Sequence, residues 1–359
     1  MSKVKLYAVK RGTEDDEAIK LIKAAACDAF DDFSWLNPGE LVWIKVALNS
    51  PDPYPATTDW RAVKAIAELV VAHGGKVAVA DESGVEFVED GDSKVSFSEA
   101  CYARSGMSKS GQAFLGLETI GFDHFTSPQA EHWPLGFRVT GLAKEADHII
   151  NLPRISAHAQ AGVTLGAKCW VGALRMEDRY VFHSHGPLYW FIQAMTSKRG
   201  VWTPKADKRR YFFEMIAELG LAFRDKLRGT LFVATKVQTT MGPNKSLVKL
   251  FNSIGIFPSY VLEPETGLII ASDDPVAADG TALAFLIGCY KRTPWIDRML
   301  QKVLIAANGR IKELGTYGVW DNPMIAHQLK LGLGEKVTAL DCSDVPHDLM
   351  SDIEKRLGI

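Results

Sequence analysis

Residues 40–49, ELVWIKVALN, predict a buried β-strand and indicate the fold class of the chain. The run is almost continuously apolar, which is typical of a strand covered on both faces of a parallel sheet. A turn-rich segment follows, and then a segment with helical spacing at about 58–73, which ends at Gly74 and Gly75. The next apolar run, KVAVADES at 76–83, predicts a second strand. Strand, helix and strand in this order indicate a βαβ unit.

Strand and helix signals alternate outside this unit as well. The run VKLYAVK at 4–10 predicts a strand, and the acid-led segment 14–33 predicts a helix. Near the other end, Asp274 and Pro275 form a helix start, with Asp274 as the capping residue. We therefore expect an α/β protein with a Rossmann-like, mostly parallel sheet and a C-terminal α/β lobe. The expected division is a lobe at 1–230 that carries the site and a lobe at 231–359.

The composition of the chain excludes several classes of protein. The 359 residues are 47% hydrophobic and 23% charged, with a net charge of −2, which is the balance of a globular protein. This charge gives no field that would attract nucleic acid or an anionic membrane. No apolar run approaches the length of a membrane span, and the N-terminal residues lack a signal-peptide core.

The five cysteines are scattered and odd in number, which argues against a disulfide framework. We therefore expect a reducing, cytoplasmic location. No C-x-x-C motif occurs, so an iron–sulfur cluster of that type is not expected. Motifs for dinucleotides (G-x-G-x-x-G), serine hydrolases (G-x-S-x-G) and zinc proteases (H-E-x-x-H) are also missing from the sequence.

The densest group of reactive side chains lies in HIINLPRISAHAQAGVTLGAKCWVG, residues 148–172. Its first residues predict a strand that ends at the carboxyl edge of the sheet, where open α/β folds bind ligands. His158, Lys168 and Cys169 follow among glycine and alanine, and they are the candidate catalytic residues. Each has an ordinary alternative: a hydrogen-bonded imidazole, a solvated amine and a small buried thiol.

His183 and His185 are the candidate metal ligands. Side chains two positions apart point the same way in extended backbone, and an imidazole pair suits Ni, Fe, Zn or Cu. The alternative is an incidental pair of loop histidines. Arg154, Arg175 and Arg179 are the candidate substrate-binding residues, because guanidinium groups bind carboxylate or phosphate bidentately. Their alternative is pairing with Glu177 and Asp178 on a surface turn.

Five blocks of sequence carry a resemblance to a known family. They are LVWIKVALNSP with Thr58 (41–58), AHGGKVAVAD (72–81), ADHIINLPRISAH (146–158), GAKCWVG with a later Arg and His (166–183), and GLIIASDDPVAAD (267–279). In order and spacing they resemble the family described as domain of unknown function 362. That family usually has Asn after the lysine, where this chain has Cys169, and many of its members carry a ferredoxin-like cysteine module that this chain lacks.

The spacing of His158, Lys168 and His183 or His185 is also similar to the active-site run of the nickel-dependent lactate racemase family. In that family a His is the acid/base, a Lys tethers a nickel pincer nucleotide and a later His ligates the metal. The resemblance implies His158 as acid/base, Lys168 as tether or substrate contact, and His183 or His185 as metal ligand. The lactate racemase family also has an Arg–Pro substrate loop after the second strand. The segment NSPDPYPATTDW (49–60), which occupies this place here, offers no clear counterpart.

The resulting hypothesis is an enzyme that acts on a small carboxylate-bearing substrate by His acid/base chemistry. A racemase, an isomerase and a redox enzyme remain open, and the expected cofactor is a transition metal (Ni, Fe or Zn) or a metal-containing cofactor. The expected partner is a small carboxylate or phosphate, without nucleic acid or membrane, and an oligomer is compatible with the sequence. The alternative is a non-catalytic protein that binds or carries a metal or cofactor.

Overall fold

The computed structural model describes residues 2–84, 97–158, 161–182, 211–240, 242, 259–308 and 311–359. Its strands belong to three sheets. They are β1 (Ser2–Lys10), β2 (Leu41–Val46), β3 (Lys76–Asp81), β4 (Phe114–Gly116), β5 (Phe122–Phe125), β6 (Phe137–Thr140), β7 (His148–Leu152), β8 (Ser156–His158), β9 (Gly162–Thr164), β10 (Leu227–Ala234), β11 (Val237–Gln238), β12 (Val261–Leu262), β13 (Thr266–Ser272) and β14 (Val337–Ser343).

The largest sheet has eight strands in the order β14-β1-β13-β10-β7-β2-β3-β4. Its pairings are parallel except for those of β13, which runs antiparallel to both of its neighbours, β1 and β10. The protein is therefore α/β with a mostly parallel sheet, as the sequence predicts. A second sheet has the order β12-β11-β8-β9, and β5 pairs with β6.

Helices accompany these strands along the chain. They are α1 (Asp15–Ala29), α2 (Trp60–Ala72), α3 (Phe97–Ser105), α4 (Leu142–Glu145), α5 (Gly166–Cys169), α6 (Met176–Phe182), α7 (Phe212–Glu218), α8 (Pro275–Lys291), α9 (Trp295–Asn308), α10 (Pro323–Lys330) and α11 (His347–Leu357). Asp274 caps α8 by accepting hydrogen bonds from the N–H groups of Val276 and Ala277, which confirms the predicted helix start. Within the described residues, no helix combines the length and the apolar character that crossing a membrane requires.

The alternating side chains of β2 explain why its sequence is apolar throughout. Val42, Ile44 and Val46 pack into a core on one face of the sheet, whereas Trp43 packs into a second core on the other face. Lys45 lies between these apolar residues on the Trp43 side, because side chains alternate along a strand. A charged residue inside a strand with two covered faces needs a buried partner.

The structure also extends the strand assignments of the sequence. β14, which was not predicted, pairs parallel with β1 at the edge of the large sheet. The predicted lobe boundary at residues 230 and 231 lies inside β10, and strands from both sides of that boundary share the large sheet. The chain therefore passes between the two predicted lobes within one sheet.

Candidate functional site

The site lies where three parallel strands, β2, β3 and β7, end at one edge of the large sheet. A hydroxyl joins two of these ends, because Thr58 Oγ1 donates to the carbonyl oxygen of Leu152 at 2.5 Å and accepts from the N–H of Ala47 at 2.8 Å. Chain segments that leave β2 and β7 therefore start side by side. This is the edge at which open α/β sheets bind ligands.

A buried ion pair connects β2 to β3 beneath this edge. Lys45, which is 0% exposed, donates through Nζ to Asp81 Oδ1 at 2.8 Å and to the carbonyl oxygen of Val46 at 2.7 Å. Asp81 Oδ2 in turn accepts from the N–H of Leu48 at 2.7 Å. Both charged groups are therefore hydrogen-bonded, and the pair holds the ends of β2 and β3 together without leaving a buried charge unsatisfied.

Cys169 lies against this ion pair. Lys45 Nζ donates to Cys169 Sγ at 3.5 Å, and the thiol donates to the carbonyl oxygen of Val46 at 3.4 Å. Burial raises the pKa of Cys169 to about 11. A thiolate is the reactive form of cysteine, so this environment does not favour Cys169 as a nucleophile.

Gly172 lies directly against the ion pair. A Cβ atom at this position would lie 2.0 Å from Asp81 Oδ1 and 3.1 Å from Lys45 Nζ. We expect Gly172→Ala to lower the free energy of unfolding by about 1–3 kcal/mol, the usual effect of overpacking. Gly121→Ala is the matched control, because a Cβ there meets nothing within 4 Å. Equal urea midpoints for the two variants would contradict this contact.

Among the candidate substrate-binding residues, Arg154 is the one whose guanidinium group lacks some of its hydrogen-bond partners among the described residues. It is 1% exposed, and its Nη1 donates to the carbonyl oxygen of Pro55 at 3.0 Å and to Gln238 Oε1 at 2.9 Å. Its Nε and Nη2 are buried and have no hydrogen-bond partner among the residues that the structure describes. Burial lowers the pKa of Arg154, which nevertheless keeps its positive charge at neutral pH. In the described part of the chain, Arg154 has no ion pair, although the charge of Asp52 is near enough to raise its pKa.

Lys168 lies in α5, next to Cys169 and near Arg154. Desolvation and then the positive charge of Arg154 lower the pKa of Lys168 to about 7. Lys168 is partly exposed. None of the described residues accepts a hydrogen bond from its ammonium group. The amine of Lys168 is therefore neutral in a large fraction of molecules at neutral pH, which is unusual for lysine.

His158 is 3% exposed at the end of β8. Its Nδ1 accepts a hydrogen bond from the N–H of Ala161 at 3.1 Å. This contact assigns the proton of the neutral imidazole to Nε2. In this tautomer Nδ1 already accepts the N–H of Ala161, so His158 could take up a proton there only by giving up that hydrogen bond.

The other two arginines have carboxylate partners. Arg179 is 2% exposed and donates to Glu82 Oε2 at 2.7 Å and to the carbonyl oxygen of Ser83 at 2.8 Å. Arg175 forms a solvent-exposed pair with Glu177 at 2.7 Å. These contacts favour a structural role for Arg179 and a surface pair for Arg175, the alternative raised above. The predicted metal ligands His183 and His185 lie outside the described residues.

Sequence reasoning did not select Lys45, Asp81 or Asp279 as parts of this site. Asp279 accepts hydrogen bonds from the N–H groups of Gly166 and Ala167 at 2.6 and 3.0 Å and so holds the start of α5. Burial raises the pKa of Asp279 to about 6. The available signal was the presence of charged residues inside runs that are otherwise apolar, because such charges need partners.

The comparisons with known proteins add one finding. No curated protein matches the chain. The model of one protein family, described as a domain of unknown function (DUF362), matches residues 42–284 and so includes β2, β7 and the segment with Arg154, Lys168 and Cys169. This match agrees with the resemblance seen in the sequence blocks. The chain belongs to the DUF362 family.

Proposed function

We propose that this protein is an enzyme that acts on a small carboxylate-bearing substrate at the edge formed by β2, β3 and β7. The observation that carries the proposal is that the buried nitrogens Nε and Nη2 of Arg154 have no hydrogen-bond partner among the described residues. These two nitrogens form one side of the guanidinium plane and match the two oxygens of a carboxylate. Buried polar groups normally have partners, so a ligand is the natural acceptor for these donors.

The charge of the surroundings supports an anion at this position. After desolvation, the positive charge of nearby Arg154 is the next cause that lowers the pKa of Lys168. Neither residue forms an ion pair with a described residue. Without a counterion, the positive charge of Arg154 disfavours protonation of Lys168, and a bound carboxylate would compensate the positive charge of this region. Phosphate shares this chemistry and serves as the comparison ligand in the experiment.

We assign proton transfer to Lys168 and not to His158, the residue that the sequence hypothesis favoured. A general base works best with a pKa near the working pH, and the pKa of Lys168 is about 7. His158 is less suited to this role, because its Nδ1 already accepts a hydrogen bond from the N–H of Ala161.

A metal or metal-containing cofactor remains part of the proposal. The lactate racemase resemblance implies Lys168 as a tether, and a neutral amine suits covalent attachment. The ligands that it implies, His183 or His185, belong to the undescribed segment 183–210. A bound metal would supply Lewis-acid polarisation of a substrate oxygen. A cytoplasmic location is also proposed, because all five cysteines are free thiols.

The experiment is calorimetric titration of the purified protein with lactate, oxalate and inorganic phosphate. We expect Arg154→Met to weaken carboxylate binding by about 10- to 100-fold, since two hydrogen bonds to a charged group are lost. The melting temperature should stay the same or rise, because a buried charge with unpaired N–H groups is removed. Arg175→Met, which changes an exposed arginine of the same segment, is the control and should bind like the wild type.

Equal carboxylate affinity in the wild type and the Arg154 variant would contradict the proposed binding site. Preference for phosphate over every carboxylate would move the substrate class to phosphate esters. Turnover is tested separately, by NMR of α-proton exchange into ²H₂O with protein purified anaerobically. Carboxylate binding without exchange or any other conversion would favour the alternative, a protein that carries a metal or cofactor.

A further inference from the structure

A second cluster of ligand-type side chains occurs on other elements. Glu218 is the last residue of α7, His327 lies on α10, and His132 lies in the loop between β5 and β6. His132 Nδ1 is 2.5 Å and His327 Nε2 is 3.2 Å from the same oxygen, Glu218 Oε1. The ligand atoms of the three side chains all lie within 4.8 Å of one another.

Charge makes this cluster unusual. The carboxylate of Glu218 is 0% exposed, and its ion-pair partners among the described residues are the imidazoles of His132 and His327. A buried carboxylate needs a positive partner. A divalent cation between the three side chains would place a full positive charge beside this buried carboxylate.

The geometry suits a small transition-metal ion. Tetrahedral Zn²⁺ holds nitrogen and oxygen ligands at about 2.0–2.2 Å, which places neighbouring ligand atoms roughly 3.3 Å apart. His327 Nε2 and Glu218 Oε1 are separated by 3.2 Å. His132 would move away from Glu218 by less than about 1 Å to reach the same spacing. The carboxylate is already oriented, because Glu218 Oε2 accepts from the backbone N–H of His132 at 3.1 Å.

The partial exposure of His132 and the number of protein ligands both favour a site from which a metal ion can exchange with solvent. The side chain of His132 is 16% exposed, whereas those of His327 and Glu218 are 9% and 0% exposed. An ion would therefore enter past His132. Two imidazoles and a carboxylate are three protein ligands, which leave one tetrahedral position open for water or another small ligand.

We propose that His132, Glu218 and His327 bind a divalent transition-metal ion, with Zn²⁺ as the reference ion. Imidazole with a carboxylate suits Zn²⁺ and its neighbours Co²⁺ and Ni²⁺ better than Ca²⁺ or Mg²⁺, which prefer oxygen ligands alone. This site does not depend on the proposed carboxylate-binding site. It is also distinct in sequence from the His183 and His185 pair.

The test uses the full chain, freed of metal by dialysis against a chelator and titrated with Zn²⁺ in the presence of a chromophoric competitor. The wild type should bind Zn²⁺, and His132→Ala and His327→Ala should each weaken binding at this site more than about 100-fold. Glu218→Gln keeps the shape of the side chain but loses its charge, and it should also bind poorly. Zn²⁺ should raise the melting temperature of the wild type and not that of Glu218→Gln.

Two controls keep the result specific. His347→Ala removes an exposed imidazole on α11 and should leave Zn²⁺ affinity unchanged. The double variant His183→Ala/His185→Ala should retain the site and the visible absorption of four-coordinate Co²⁺. Loss of Zn²⁺ from that double variant, together with retention in the folded His132→Ala and Glu218→Gln variants, would overturn the proposal. Absence of Zn²⁺ binding by the wild type would overturn it as well.

Discussion

Asp81→Asn is expected to lower the free energy of unfolding by about 3–5 kcal/mol, because it leaves the ammonium of Lys45 buried without its counterion. Lys45 is 0% exposed and lies 2.8 Å from Asp81 Oδ1. Water therefore cannot replace the carboxylate. Urea unfolding at neutral pH, followed by circular dichroism, measures this change.

The matched control is an exposed pair of the same charge types. Lys20 and Glu17 are 3.5 Å apart on the surface of α1, and Glu17→Gln should change stability by no more than about 0.5 kcal/mol. The double variant Lys45→Met/Asp81→Asn should be more stable than Asp81→Asn alone, because it removes the unpaired charge. A single variant within about 1 kcal/mol of the wild type would show that the ion pair does not hold the two strand ends together.

Lys168→Ala is expected to reduce turnover by about 10²- to 10⁴-fold while the fold is retained, which is the usual contribution of a general acid or base. In the wild type, kcat/KM should rise with pH through about 7, the pKa of Lys168, because the neutral amine is the active form. Lys168→Arg should not rescue the rate, since a guanidinium stays protonated. A pH profile of Lys168→Ala that keeps the ascending limb would assign that limb to another group.

The shifted pKa of Lys168 also predicts how the free energy of unfolding depends on pH, which can be measured without a substrate. Its pKa is about 7 in the folded protein and about 10.5 in the unfolded chain, so the unfolded chain binds more protons between these values. The free energy of unfolding therefore rises with pH over this window, and the penalty of burying the ammonium is fully present below about pH 7. Lys168→Met should flatten this rise, and an unchanged slope would mean that Lys168 titrates as an ordinary surface lysine.

Much of the fold could be predicted because its strands are buried on both faces. The apolar run around Val42 and Ile44 has one structural solution, a central parallel strand. β14 was not predicted because it lies at the sheet edge, where six of its seven residues are partly buried or exposed and the apolar signal is weak. The shared sheet also depends on pairings of β1 with β13 and β14, which are far apart in sequence.

The site divides in a similar way. Arg154 and Lys168 were selected because they lie in one short segment after a strand. That Arg179 pairs with Glu82 could not be predicted, since the two residues are 97 positions apart and no local pattern relates them. The same applies to Glu218 and His327, which are 109 positions apart. Burial and orientation decide these roles, and both come from tertiary packing.

The most direct measurement of the central claim is a crystal structure of the wild-type protein grown with oxalate or lactate. We predict that carboxylate oxygens lie about 2.7–2.9 Å from Nε and Nη2 of Arg154, with the amine of Lys168 facing the same ligand. A structure in which both nitrogens of Arg154 donate to protein groups, while the carboxylate is bound elsewhere or not at all at a saturating concentration, would contradict the account.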